Sequence, residues 1–190
     1  SRGARLALLV YADGMKSYMV APQNIKVGDS VVSSKALGEI KPGNRFPLGL
    51  IPPGIPIYDL ELTQGKGAQL VRGAGASAVI MAVEGDYAQI KMPSGEIRLI
   101  PKDCMATIGQ VSNPDWGLVR WGKAGRTRHR GIRPSVRGKV MNPVDHPHGG
   151  GEGRSKSGSH PRTPWGKGCK GTRTRRVRNV NQLIIKRRKP

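Results

Sequence analysis

Within thirteen residues, "NPVDHPHGGGEGR" at 142–154, the chain gathers Asp145, His146, His148, Glu152 and Arg154 around three consecutive glycines. Such a set has three possible uses. The first is a metal site. His146 and His148 flank Pro147, and in an extended backbone side chains at i and i+2 point to one side. Asp145, Glu152, His160 and Cys169 are near enough in sequence to complete a ligand set. A structural zinc wants four ligands in compact spacings such as C-x₂₋₄-C, however, and here one cysteine stands near a single H-x-H with no second pair. The second use is metal-assisted or general acid–base hydrolysis. It needs a nucleophile, a base and an oxyanion pocket on a rigid frame. The third use is RNA binding. Imidazole bonds phosphate, ribose 2′-hydroxyl or base edges and stacks on bases. Gly149, Gly150 and Gly151 let backbone approach closely, and Arg154 supplies a phosphate fork.

What must hold these residues decides among the three. The 190 residues carry 33 Lys and Arg against 12 Asp and Glu, a formal charge of +21. A polyanion is the expected partner, and nucleic acid is the commonest. A membrane is not expected: there is no basic amphipathic helix, and no apolar run approaches roughly 20 residues. The excess charge is local. Residues 1–115 hold 12 basic and 10 acidic side chains, whereas residues 116–190 hold 21 and 2. Those last 75 residues contain 11 Val, Leu, Ile or Phe, too few to build a dry frame around a catalytic pair. They are expected to be extended and ordered by a partner. The boundary falls near "NPDW", residues 113–116. Cys104 and Cys169 lie far apart, so no disulfide framework is expected.

The first part reads as all-β. "RLALLVY" (5–11) and "SYMVAP" (17–22) flank Asp13-Gly14, a hairpin signal. "IPIYDLEL" (55–62), "AVIMAV" (78–83), "YAQIKM" (87–92), "IRLIP" (97–101) and "MATIGQV" (105–111) follow, separated by turns such as "EGD" and "PSG". They predict a small barrel of about five strands, with "PKDC" (101–104) as a 3₁₀ turn. No long helix is expected. The hairpin within 1–37 lacks a partner sheet, and a lone hairpin is marginal in water. "GAGASA" (73–78) has the form G-x-G-x-x-A, but a strand pattern follows where a dinucleotide site needs a helix. "GKGAQ" (65–69) lacks the flanking residues of a phosphate-binding P-loop. Both read instead as tight loops beside something close, such as an RNA backbone.

At "RGIRPSVRGKVMNPVDHPHGGGEGR" (130–154) and "TPWG" (163–166) the chain closely resembles the ribosomal protein L2 family of the large subunit, in its bacterial and organellar form. "ARLALLVYADG" (4–14), "YMVAP" (18–22), "VGD" (27–29), "IKPGN" (40–44), "GKGAQLVRGAG" (65–75) and "WGKAGRTRHRG" (121–131) agree in family order. The resemblance implies an RNA-binding OB-fold, an SH3-like barrel and a long extended basic segment. The corresponding divisions are residues 1–37 as the second half of the OB-fold, 38–114 as the barrel and 115–190 as the tail. It implies a structural, non-enzymatic protein that binds large-subunit rRNA, supports its folding and contributes to subunit association.

Near the peptidyl-transferase region the implied rRNA-binding residues are Asn142, Asp145, His146, His148, Gly149, Gly150, Gly151 and Arg154. Elsewhere they are Lys66, Arg72, Lys123, Arg126, Arg128, His129, Arg130, Arg133, Arg137, Trp165, Lys170, Arg173, Arg175, Arg176, Lys186, Arg187 and Arg188. No metal and no cofactor is expected beyond structural Mg²⁺ carried by rRNA. The implied partners are large-subunit rRNA, neighbouring ribosomal proteins and the small subunit at the interface. A separate N-terminal L2 polypeptide is expected to complete the OB-fold, as in some plant mitochondrial members. The mitochondrial matrix is the expected setting, with the bacterial cytoplasm as its alternative. A non-ribosomal nucleic-acid chaperone and a metal-assisted hydrolase using Asp145, His146 and His148 remain the competing functions.

Overall fold

A computed structural model describes residues 3–153, 158–172 and 182–188. The chain is all-β; its described residues form eleven short strands and one α-helix of six residues. It divides into two compact units, Ser1–Val119 with Arg178–Pro190, and Arg120–Val177.

In the first unit β1 (Leu6–Val10) and β2 (Lys16–Val20) form an antiparallel hairpin, with Leu8 opposite Tyr18. Asp13 closes its turn by accepting the Met15 N–H (3.0 Å). A second sheet has seven antiparallel strands in the order β11-β9-β8-β7-β4-β10-β3. Its strands are β3 (Arg45–Pro47), β4 (Pro56–Tyr58), β7 (Ala78–Glu84), β8 (Tyr87–Lys91), β9 (Ile97–Pro101), β10 (Met105–Ile108) and β11 (Ile184–Lys186). β5 (Leu60–Glu61) and β6 (Ala68–Leu70) pair separately. The two-residue turn Gly85-Asp86 joins β7 to β8, and "PSG" joins β8 to β9 through a Gly95 N–H to Met92 carbonyl bond (2.9 Å).

Period-two alternation places Ala88, Ile90 and Ile100 inward, where they join Phe46, Leu48, Ile57, Tyr58, Leu60, Ile80 and Cys104 in one dry core. Burial holds the Tyr58 phenol above its usual range, helped by Asp59 and opposed by Arg45. Its hydroxyl donates to the Val20 carbonyl (3.1 Å). Burial likewise pushes the Cys104 thiol up to about 11, with Glu61 and Asp103 adding to the effect.

The expected strand "IPIYDLEL" is broken. Asp59 takes φ +53° and splits it into β4 and β5, which belong to different sheets. Asp tolerates that left-handed region better than most residues. The predicted 3₁₀ turn at 101–104 is a single hydrogen-bonded turn, Cys104 N–H to Pro101 carbonyl (3.1 Å). Three-residue 3₁₀ helices also occur at Leu48–Leu50 and Gly138–Val140.

The β1–β2 hairpin is stitched to the strand-rich core. Gln23 N–H donates to the Gln110 carbonyl (2.8 Å), Ser112 N–H to the Ala21 carbonyl (3.0 Å), and Arg5 N–H to the Ser112 hydroxyl (3.0 Å). Val20 and Ala4 are buried, yet Leu6, Leu8, Val10 and Tyr18 are at least half exposed. The loop "GAGASA" packs on its own unit: Gly75 N–H reaches the Ser112 carbonyl (3.1 Å), and a Cβ there would fall 2.6 Å from Pro114 Cα. The close backbone neighbour expected for that loop is therefore protein. At the far edge, residues 184–186 return as β11 and pair with β9.

Candidate nucleic-acid interface

The second unit has almost no interior. From residue 120 onward, His146 is the sole buried residue among the described ones, at 7% exposure. Its order comes from turns and polar brackets. The helix α1 (Ala124–His129) carries Arg126, Arg128 and His129 in its last turn, where cations suit the negative end of the helix. The Arg130 guanidinium lies 4.0 Å from the centroid of the Trp121 ring, within cation–π reach. Lys123, Arg126, Arg128, His129, Arg133 and Arg137 are exposed.

The paired histidines sit in a turn closed on itself. The Asn142 carbonyl accepts from the N–H groups of Asp145 (3.0 Å) and His146 (3.2 Å). Gly149 N–H donates to the His146 carbonyl (2.8 Å), and Gly150 N–H to the Met141 carbonyl (3.0 Å). The His146 ring lies over Gly138, where a Cβ would come within 2.5 Å of three ring atoms. A Cβ on Gly149 would overlap the Asn142 carbonyl oxygen. The glycines thus allow a close backbone approach, as the sequence implies, but at Gly138 and Gly149 the neighbour is this same loop.

His146 Nδ1 accepts the His148 N–H (3.0 Å), and His148 Nε2 accepts the Arg162 N–H (2.8 Å). An accepting ring nitrogen carries no proton, so the neutral rings are opposite tautomers, Nε2–H at His146 and Nδ1–H at His148. The rings lie 5.2 Å apart, tilted by 31°. Among the described residues no three His, Cys, Asp or Glu side chains come together as metal ligands.

Through Arg162 this turn meets a second one. Arg162 and Gly168 form an antiparallel bridge, and Thr163 N–H donates to the Lys167 carbonyl (2.8 Å). The two most specific sequence motifs, "DHPHGGG" and "TPWG", are therefore one bracketed structure. Trp165 at the hairpin tip is 82% exposed, and Lys170 is exposed.

Other candidates are scattered. Lys66 and Arg72 are exposed in the first unit, although Arg72 Nε also lies 2.8 Å from Asp59 Oδ1. That carboxylate belongs to a partly buried network in which Arg45 reaches Glu61 at 3.1 Å. Lys186 stands on β11, followed by exposed Arg187 and Arg188. Asn142, Asp145 and Gly151 are exposed, whereas His148, Gly149 and Gly150 are half-buried. Arg154, Arg173, Arg175 and Arg176 lie outside the described residues. Sequence reasoning missed Gly138, Trp121 and the Arg162 amide. An aromatic residue among arginines was a readable signal for Trp121; nothing local marks Gly138 as the seat of His146.

Comparison with known proteins covers the whole chain. The family profile described as "Ribosomal Proteins L2, RNA binding N-terminal domain" matches residues 1–33, and "Ribosomal Proteins L2, C-terminal domain" matches residues 41–166. The large ribosomal subunit protein uL2 of Paracoccus denitrificans is 52% identical over 188 residues, which cover 99% of this chain and 67% of that protein. The protein of the same name from Roseobacter denitrificans is 53% identical over 189 residues, with the same coverage. A strand-rich unit joined to a cation-rich, core-less one, and profile matches over most of the length, place this chain in the ribosomal protein L2 (uL2) family.

Proposed function

We propose that this chain is a structural constituent of the large ribosomal subunit that binds its rRNA. The observation that carries the reading is the second unit itself: exposed Arg and Lys side chains ordered by turns and brackets, with, among the described residues, a single buried histidine in place of a core. Such a segment gains its stability from a polyanion laid against it. The names of the relatives support the same role. Among the described residues no helix is long and apolar enough to cross a membrane.

The finer assignment keeps the three divisions, 1–37, 38–114 and 115–190. The loop around His146 and His148 is read as approaching the peptidyl-transferase region, with contributions to subunit association. Asn142, Asp145, His148 and the glycines form its RNA-facing surface, and inward-turned His146 supports them. We read both imidazoles as braces of the turn, since one nitrogen of each accepts a backbone N–H. The exposed apolar face of Leu6, Leu8, Val10 and Tyr18 supports a further element packed against β1–β2. The mitochondrial matrix is kept as the proposed setting; the relatives named above are bacterial, and organelle fractionation separates the two.

The test is binding to deproteinised large-subunit rRNA across a salt series. With on the order of ten phosphate contacts, log affinity should fall against log salt with a slope near −7 to −9. A flat dependence, or failure to co-sediment with large subunits in moderate salt, overturns the reading.

A further inference from the structure

Trp165 is an indole left in water at the tip of a rigid hairpin. Its loop is three residues long, Pro164-Trp165-Gly166, between the bonded pair Thr163 and Lys167. Gly166 N–H donates to the Thr163 carbonyl (2.9 Å) and Gly166 takes φ +76°, while the Thr163 hydroxyl accepts the Lys167 N–H (3.2 Å). Pro164 fixes one more dihedral. A second rung, Cys169 N–H to the Pro161 carbonyl (3.0 Å), holds the base. The hairpin is also fixed from outside, because its Arg162 N–H is held by His148 Nε2 at 2.8 Å. An exposed ring on so stiff a support is pre-organised for a contact, since little freedom is left to lose on binding.

The surroundings identify the contact. Arg162, Lys167 and Lys170 stand within five residues of Trp165 in sequence and are exposed, and residues 158–172 contain no acid. The ring also has no large apolar companion in that segment, as a protein hot spot or a membrane anchor would. A flat aromatic face among cations suits a nucleobase whose phosphates lie to either side. We propose that Trp165 stacks on an unpaired RNA base, with Arg162, Lys167 and Lys170 on the flanking phosphates, and that His148 is the positioning residue that aims the hairpin. This rests on the rRNA reading above and names the chemistry of one contact within it.

The test measures affinity of the full chain for deproteinised large-subunit rRNA at two salt concentrations. Trp165→Ala should bind roughly 5- to 100-fold more weakly, with the salt slope unchanged because no charge is removed. Trp165→Phe should stay within about 3-fold of the unsubstituted chain, and Trp165→Leu should fall with the alanine variant, because stacking needs a π-face. His148→Ala should weaken binding by itself and cost clearly less on the Trp165→Ala background than on the unsubstituted chain. Leucine matching phenylalanine would mean an apolar contact with protein or lipid and overturns the stacking. Trp165→Ala binding within 2-fold overturns this inference alone. Failure of the unsubstituted chain to bind overturns the rRNA reading together with it. A fully additive His148 effect removes that residue's aiming role.

Discussion

The two units reach order by opposite routes. In the first, Ala88 and Ile90 of β8 and Ile100 of β9 join Phe46, Leu48 and Ile57 in the core, and water is gone from the middle. In the second, a glycine, two imidazoles and a handful of backbone bonds fix a path with, among the described residues, nothing buried but His146. The first route is cooperative, because each core side chain touches many others. The second is local, because each bracket fixes only the residues it joins. A polar, bracketed segment folds weakly by itself, but it leaves its cations facing outward where a polyanion can reach them. Charge density and a dry core compete for the same residues, and here they occupy separate stretches of one chain.

This contrast is open to direct attack. The largest effect is expected at Phe46, which is fully buried. Phe46→Ala should cost about 3–5 kcal/mol in a denaturant melt. Val144→Ala, at a position 89% exposed, should change stability by less than about 0.5 kcal/mol. Equal losses would erase the distinction.

Next in size is Gly149→Ala, which forces a methyl onto the Asn142 carbonyl. A local cost of about 1–3 kcal/mol is expected, read as faster protease cleavage within 138–150. The melt of the first unit should stay put. A parallel drop in that melt would show that the bracket is coupled to the core.

A last effect, spread over two pH units, concerns alkaline pH. The Cys104 thiol, ordinarily near 9.0, is raised by burial to about 11. Below about pH 9 folded and unfolded chains both keep the proton; between 9 and 11 only the unfolded chain loses it. The stabilisation is therefore complete below pH 9 and lost as pH rises through about 11, at roughly 1.4 kcal/mol per pH unit. Cys104→Ala should flatten that stretch of the stability curve. An unchanged slope means the thiol is not insulated in the folded state.

What could be read in advance follows the same division. β1, β2, β7, β8, β9 and β10 announce themselves by alternation and by turns such as Asp13-Gly14, which are local signals. β3, β6 and β11 span three residues each and exist because distant partners pair with them, so no window of sequence contains their cause. Asp59 divides β4 from β5 through one positive φ, which alternation cannot foresee. In the tail, the glycines of "HPHGGG" signalled close approach, but not to what. Gly149 meets Asn142, seven residues back, and His146 meets Gly138. α1 has no apolar stripe for periodicity to detect, because its faces carry arginine and histidine.

The pairing of β11 with β9 has a consequence in chain topology. Residues 120–177 lie in sequence between two stretches of the first unit, so the bracketed segment is tethered at both ends. Closing a flexible loop of that length costs on the order of 4 kcal/mol of entropy, which the β11–β9 ladder must offset. A loop held at both ends has a limited reach. Once any part of it is gripped, Arg187 and Arg188 beyond β11 stay tethered to it by the chain, at an effective concentration that a separate molecule would not have. The three residues of β11 thereby convert a string of weak contacts into a multivalent one.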